Sequence, residues 1–436
     1  MRAIRVGLCL CVLSLNGLAQ NWYRGNLHMH SKWSDGNVMP EEATQWYRDH
    51  GYQFIVLSDH HKVQVNTNEW LKVKSSKLEK EKAQKYLERY AASAQQKTEG
   101  ESTYLRLKTI WELKQMFDQP EGFLMIPGQE LNQSINGLQV HVNAINVHDT
   151  IAFRYGHTAV ETVQRLEQAV RTWGQEHAQP TLFMLNHPTW RYFDVQPEVL
   201  INSPQVRFFE LCNVDGGNVF AAHALWYSME KFWDIVNAFR IEDGHEPVFG
   251  TATDDTHDYI NPQGGARPGE GWVYVRAARL EAESLLQAMY CGDFYASIGV
   301  VLEEVAFDEV AGTLKVKVKP EAGVSYQIRF TTTKAGFERT TSTFDDPARD
   351  NKPARTGVRY ADMIGATALA VEASEAVYTL APDDLYVRAT VTASRKSFKP
   401  SHACNKPDFE TAWTQPYGWR AWQARNPAKA RLESPK

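Results

Sequence analysis

The sequence predicts an α/β fold: a parallel sheet, open or closed into a barrel, followed by a small β-sandwich. Two observations carry this. From Asn21 to about Leu302, short apolar runs alternate with helical stretches, the order that builds strand–helix units and parallel sheets. Beyond Leu302 the apolar residues recur with period two and leave one polar face, as antiparallel strands do.

The elements follow in chain order. Arg2 and Arg5 precede an apolar stretch at 6–15, and Gly17, Leu18 and Ala19 offer a small-x-small cleavage site. This reads as a secretory signal over residues 1–19, too short to span a bilayer. Gln20 rather than cysteine follows the cut, so no lipid anchor is indicated and a periplasmic or secreted protein is expected. No later transmembrane candidate is visible. A helix is expected at 41–50, then strands at 54–57, 123–126, 140–147, 181–185, 207–211 and 248–250, with helices at 160–173 and 221–239 between them. An insertion at 69–100 is rich in Lys, Glu and Gln. Within it Ala83, Tyr86, Leu87, Tyr90, Ala91 and Ala94 fall at helical spacing, which reads as a charged helix with one modest apolar stripe. Such a helix is either a lid over a site or a solvated helix packed on the barrel wall.

In the last third, Leu314, Val316 and Val318 alternate with lysines. Val324, Tyr326, Ile328 and Phe330 form a second alternating run, and Leu385, Val387, Ala389 and Val391 a third. Residues 344–355, rich in Asp, Pro and Asn, read as a loop. The expected organisation is a hydrolase barrel over 20–302 and a β-sandwich over 303–436.

Composition excludes several classes. Hydrophobic content of 43% is ample for a packed core, so the chain is not disordered. The formal charge is −5, and the expected signal removes two arginines and no acid. A mildly acidic chain is a poor general nucleic-acid binder, because phosphate contacts need a basic surface. Of five cysteines, Cys9 and Cys11 leave with the signal. Cys212, Cys291 and Cys404 make no disulfide framework.

Chemistry begins at Asn26, with N-L-H-M-H-S-K-W-S-D-G. His28 and His30 are two apart, so on a strand both imidazoles face one side and can reach one metal. Asp35 follows in a Ser-Asp-Gly turn. A lone pair of this kind is weak evidence, but the pattern repeats. The strand at 54–57 ends in Ser58-Asp59-His60-His61, and that at 123–126 in Pro127-Gly128-Gln129-Glu130. His141 lies in the next strand. The strand at 181–185 ends in Asn186-His187-Pro188, and that at 248–250 leads to Asp254-Asp255-Thr256-His257. In αβ barrels the C-terminal strand ends carry the active site. Imidazole with carboxylate suits zinc, manganese or iron. So many ligands imply more than one ion, with Glu130 able to bridge two of them.

This series resembles the PHP superfamily, the polymerase and histidinol phosphatase domain, over about residues 26–298. The resemblance implies a distorted seven-stranded (β/α)7 barrel, two or three divalent ions (typically three) and hydrolysis of phosphate esters. Carried over by motif, His28, His30, Glu130 and Asp255 hold the first ion. Glu130 bridges to the second, completed by His141 and His187, and Asp35, His60 and His257 hold the third. The long gap between His60 and Glu130 departs from compact members, as does the signal.

Further residues carry weaker signals. Asp59 and Asp254 adjoin ligands and orient them, or merely cap turns. Arg267 is placed to clamp a phosphate through its guanidinium, against a structural ion pair. His223 and His157 lie near predicted helix starts and are candidate general acids, against structural histidines. His61 reads as a spare exposed histidine, and Asn213 as a pocket-lining residue.

The reading that follows is a secreted metal-dependent phosphoesterase acting on a small phosphomonoester or phosphodiester. A hydrolase of an ester, amide or glycan bond at the same centre is the alternative, because metal-bound hydroxide is not specific to phosphorus. The third reading is a secreted glycan- or protein-binding molecule, to which Trp413, Tyr417, Trp419 and Trp422 lend some support unless they pack the sandwich against the barrel.

Overall fold

The computed structural model describes residues 20–152, 155–215, 218–222, 225–261, 263–348, 353–398 and 406–427. The signal reading at 1–19, His223 and Cys404 lie outside the described residues. Among the described residues, no helix is long and apolar enough to cross a membrane.

The chain opens with β1 (Asn21–Asn26), α1 (Pro40–Asp49) and β2 (Phe54–Leu57), and β2 pairs in parallel with β1. The insertion then departs from the expected single helix. It contains β3 (Trp70–Lys72), α2 (Lys77–Arg89) and β4 (Gln96–Glu99), and with β5 (Ser102–Arg106), just past its expected end, the strands form an antiparallel sheet in the order β3–β5–β4. The apolar stripe of α2 packs inward. Tyr86 is buried with Trp33, Met39 and Leu105, and its hydroxyl donates to Glu41 on α1 at 2.7 Å. Helix α3 (Ile110–Phe117) is opened by a capping box, in which Thr109 Oγ1 accepts the Glu112 amide and the Glu112 carboxylate accepts the Thr109 amide.

Strand β6 (Leu124–Ile135) runs far past the expected 123–126 and turns back as β7 (Leu138–Ile145). The turn residues Asn136 and Gly137 have φ of 51° and 83°, the left-handed pair that a two-residue hairpin requires. Consequently β7 is antiparallel to both β6 and β8 (Leu182–Leu185), which corrects the all-parallel expectation. Between them lies α4 (Ala159–Glu176), capped by Thr158. Short helices α5 (Trp190–Phe193) and α6 (Pro197–Ile201) precede β9 (Phe208–Asn213), α7 (Met229–Glu242) and β10 (Phe249–Thr253). The helix expected at 221–239 starts only at Met229, because the Ser228 hydroxyl accepts the Lys231 amide and fixes the first turn there. Then come β11 (Trp272–Ala277), α8 (Ala282–Cys291) and β12 (Phe294–Ser297).

These strands lie in the order β10–β9–β8–β7–β6–β2–β1–β11–β12. Buried Phe54, Val56, Ile126, Met184, Phe208 and Phe249, one or two from each of five strands, form one shared core. No ladder joins β10 to β1 among the described pairings. The residues just beyond them do meet: Met29 bridges Thr256 in parallel, Asp255 N–H donates to His28 O at 3.1 Å, and His30 N–H donates to Thr256 O at 3.0 Å. The segments that follow β1 and β10 therefore touch where the histidines lie.

The remaining strands are β13 (Leu302–Asp308), β14 (Thr313–Val318), β15 (Tyr326–Thr332), β16 (Ser342–Asp346), β17 (Arg355–Arg359), β18 (Ala366–Glu372), β19 (Glu375–Thr379), β20 (Arg388–Lys396) and β21 (Phe409–Thr414), before α9 (Trp419–Arg425). The period-two pattern holds. Leu314, Val316 and Val318 are buried, while Lys315 and Lys317 pair outside with Glu304 and Glu303. The sheet β13–β14–β19 packs on β15 and β20 through Val305, Leu314, Val316, Ile328, Phe330 and Val391. That second layer is not a separate sheet, since β21 pairs with β12 and makes the main sheet thirteen strands wide. The loop expected at 344–355 is partly strand, because β16 and β17 pair as its two arms. Trp413, Trp419 and Trp422 are buried as packing residues, with Trp413 Nε1 donating to Glu230 at 2.7 Å.

Candidate metal centre

Every predicted ligand sits on the rim where the strands end, except two that the long hairpin carries. Asn26 closes β1, and its amide donates to His28 O at 2.9 Å and to the Tyr47 hydroxyl at 2.8 Å, fixing the segment that follows. In that extended segment His28 and His30 point to one side and Met29 to the core of α1 and α3. His60 follows β2 and bridges Glu130. Glu130 lies inside β6, not at its end, because the strand continues into the hairpin that also presents His141. His187 follows β8, and Asp255 and His257 follow β10. Asp255 adopts φ of 49° and His61 φ of 60°, a left-handed backbone that is uncommon outside glycine and clusters at functional sites.

The side chains converge in three groups. In the first, His28 Nε2 and His30 Nε2 are 3.1 Å apart, and each lies 3.0–3.1 Å from Asp255 Oδ1 and 3.5 Å from Glu130 Oε2. In the second, Glu130 Oε1 lies 3.3 Å from His141 Nδ1 and 3.5 Å from His187 Nε2. In the third, Asp35 lies 3.4 Å from His60 Nε2, 3.4 Å from His257 Nε2 and 3.7 Å from His30 Nδ1. The first two groups are buried. The third opens to solvent through Asp35, whose side chain is 55% exposed.

This donor set fits divalent ions. A tetrahedral site with bonds of about 2.0–2.1 Å has ligand–ligand edges of roughly 3.4 Å, close to the spacings in the first two groups. Glu130 Oε2 is buried and lies near three imidazole nitrogens, yet it has no hydrogen-bond partner of acceptable geometry. Its charge is offset by the His60 ring, 2.6 Å away but out of hydrogen-bond alignment, and a divalent ion at this point would satisfy it with the imidazoles as co-ligands. Groups drawn from these three sets have ligand atoms close enough to share an ion.

The ring tautomers point the same way. His28 Nδ1 faces Glu210 Oε1 at 2.7 Å, and His257 Nδ1 faces the Asp255 carbonyl at 2.8 Å. An oxygen that only accepts puts the proton of the neutral ring on Nδ1, so that Nε2 is the nitrogen left to face inward as a ligand.

Electrostatics bind the cluster together. Burial pushes the Glu130 carboxyl up, but His60, His28 and hydrogen bonds from His141 and His187 bring it well below the carboxylate range. Burial alone would lower His60, but Glu130 and Asp35 raise it to about 11. His257 is likewise lowered by burial but raised to about 9 by Asp35 and Asp255. His30 falls to about 3 through burial and its cationic neighbours, His257 first.

Glu210 was not among the residues the sequence singled out. It is buried in β9, where its carboxylate takes the His28 ring, the His187 amide at 2.7 Å, the Asn213 amide at 2.8 Å and the Thr253 hydroxyl at 2.7 Å. The available signal was a carboxylate inside the apolar run Phe208-Phe209-Glu210-Leu211. Asn213 also donates to Asp255 Oδ2 at 3.1 Å, and Asn186 donates to Glu130 Oε1 at 2.9 Å.

The weaker candidates fall in different places. Asp59 accepts from the Ser31 amide and from the hydroxyls of Ser31 and Ser34, so it orders the loop between His30 and Asp35. Asp254 accepts the amides of Gly269, Glu270 and Gly271 and the Tyr47 hydroxyl. Arg267 pairs with Glu270 and lies 3.4 Å over the Phe398 ring. His61 is exposed, and its amide donates to Glu130 O at 2.8 Å. His157 is exposed at the start of α4, with its amide on Glu161.

No family model matches this chain, and no curated protein matches it. Among solved structures it is similar to a two-domain protein from Bacteroides vulgatus containing a predicted PHP-like metal-dependent phosphoesterase. The identity is 15% over 91% of this chain and 95% of that one, with a TM-score of 0.40. A candidate metal-dependent phosphoesterase from Bifidobacterium adolescentis shares 12% identity over 55% of this chain and 89% of its own, at a TM-score of 0.29. An amidohydrolase from Chromobacterium violaceum with bound sulfate shares 11% identity over 55% of this chain and 92% of its own, also at 0.29.

Proposed function

We propose that this chain is a metal-dependent phosphoesterase of PHP type, exported from the cytoplasm, which hydrolyses a small phosphomonoester or phosphodiester. The observation that carries this reading is Glu130. Its two oxygens face two different histidine groups, and one of them has no hydrogen-bond partner. His28, His30, Glu130 and Asp255 would hold one ion, Glu130, His141 and His187 a second, and Asp35, His60 and His257 a third. The ions would supply a hydroxide nucleophile at neutral pH and offset charge on the phosphoryl oxygens.

The chain's own residues then position that chemistry. Glu210 fixes the His28 ring and Asn213 steadies Asp255. The half-exposed Asp35 marks the mouth through which substrate enters. Arg267 becomes a phosphate clamp by exchanging Glu270 for substrate. Asp59 acts as a positioning residue through the 31–34 loop, and His223 stands as the candidate acid for the leaving group. The region after residue 302 forms the companion β domain.

Hydrolysis of a panel of phosphomonoesters and phosphodiesters tests the reading, using mature protein with Mn²⁺ or Zn²⁺ beside His187→Ala. Metal-dependent turnover that the variant loses is expected. Folded, metal-loaded protein inactive on every phosphate would instead favour an ester, amide or glycan bond as the target. Export is checked separately, by a mature N-terminus at Gln20.

A further inference from the structure

We propose a second metal site, apart from the histidine–carboxylate centre, formed by His148, Asp149 and His177 and suited to one zinc, nickel or copper ion. His148 and Asp149 lie in the loop after β7, and His177 is the residue that ends α4. His148 Nε2 is 3.8 Å and His177 Nε2 3.7 Å from the same oxygen, Asp149 Oδ2. The three ligand atoms all lie within 4.8 Å of one another.

The hydrogen bonds behind the rings set them up as ligands. Gln179 Nε2 donates to the Asn146 carbonyl at 2.7 Å. A carbonyl only accepts, so the amide nitrogen of Gln179 must face it, and Gln179 Oε1 must face His148 Nδ1 at 3.1 Å. That oxygen also only accepts, so the proton of neutral His148 sits on Nδ1. His177 Nδ1 lies 2.8 Å from the Trp173 carbonyl, which fixes the same tautomer by the same argument. Both Nε2 atoms therefore carry bare lone pairs, and both approach one carboxylate oxygen. A ring whose far nitrogen donates to a carbonyl is the usual state of a metal-bound histidine.

The surroundings hold this arrangement in place. The His177 ring stacks on Trp173 at a centroid distance of 4.1 Å, and Trp173 meets His148 edge-on at 4.7 Å. Asp149 is 61% exposed and free to close the few tenths of an ångström that a metal–ligand edge requires. Two imidazoles and one carboxylate favour a borderline transition ion over magnesium or calcium. Three protein ligands leave at least one position for water. The bound ion would tie the β7 loop to the end of α4.

Bound zinc per chain, counted after equilibrium dialysis of the full mature protein against micromolar free Zn²⁺, tests the site. Wild type is expected to hold one ion more than His177→Gln and one more than Asp149→Asn. Asp149 is exposed, so its variant leaves folding intact. Ions at the other centre cancel in the difference, so the result stands whatever that centre binds. Crystals of zinc-saturated wild type should also show anomalous density between the two Nε2 atoms. Equal zinc counts in wild type and both variants, or zinc-saturated crystals without that density, would overturn the proposal.

Discussion

Glu210 takes four hydrogen bonds from groups on or beside the candidate ligands, among them the His28 ring and the His187 amide. Its replacement by glutamine keeps the volume but turns one oxygen into a donor, which cannot satisfy all four partners. Glu210→Gln is predicted to weaken metal affinity about 10–100-fold, read by competitive titration with a chelating dye. Unchanged affinity would reduce Glu210 to a space-filling role. Protonation gives a second test. With His60 raised to about 11 and His257 to about 9, both rings carry protons at pH 8 when no metal is bound. An ion can bind them only by expelling those protons. Metal binding should therefore release protons at pH 8, and affinity should rise with pH, more steeply until His257 deprotonates near 9 and less steeply until His60 does near 11. The heat of binding in buffers of different ionisation enthalpy reports this, and a buffer-independent heat would contradict it. The residues that converge at the candidate centre were legible in the sequence because His and Asp recur just after apolar runs. Glu210 was not, because one carboxylate within an apolar run has no spacing to betray it.

Strands with long apolar runs, such as β2 and β8, were legible to within a residue, because burial on both faces leaves no other pattern. Direction was not. Apolarity does not say whether a neighbour runs parallel, and the antiparallel β7 could have been read only from the Asn136-Gly137 turn. The small sheet of the insertion escaped because residues such as Lys97 and Glu99 face solvent, leaving no alternation to detect. Close approach of strands has its own signature at Gly25. A β-carbon there would lie 2.2 Å from the Phe54 ring, inside any permitted contact. Gly25→Ala is predicted to cost about 1–3 kcal/mol through overpacking, measured as a shift in the urea midpoint. Wild-type stability in the variant would mean that the ring moves aside freely.

At the scale of the whole molecule, the change of period near residue 302 was legible, but the join across it was not. Tyr295 on β12 pairs with Thr414 on β21, and nothing local records a partner so far along the chain. The join is also electrostatic. Asp234 on α7 is buried against Arg388 at 2.6 Å and the Tyr386 hydroxyl at 2.8 Å, and Glu230 receives Arg329 and Trp413. Arg388→Met would strand Asp234 without its cation and is predicted to cost about 3–5 kcal/mol, measured by chemical denaturation. By the same logic a chain cut after residue 302 should fail to fold alone, since it exposes β12 and takes the arginine partners from Glu230 and Asp234 of α7. A soluble, cooperative fragment would show that the two regions are independent. The central claim is that one carboxylate, Glu130, joins neighbouring ions. Anomalous diffraction at the edge of the bound metal tests it most directly. Two or three peaks are predicted at this centre, with two of them flanking Glu130 at a separation of about 3.5–4 Å. Metal-saturated crystals with a single peak, or none, beside Glu130 would contradict it.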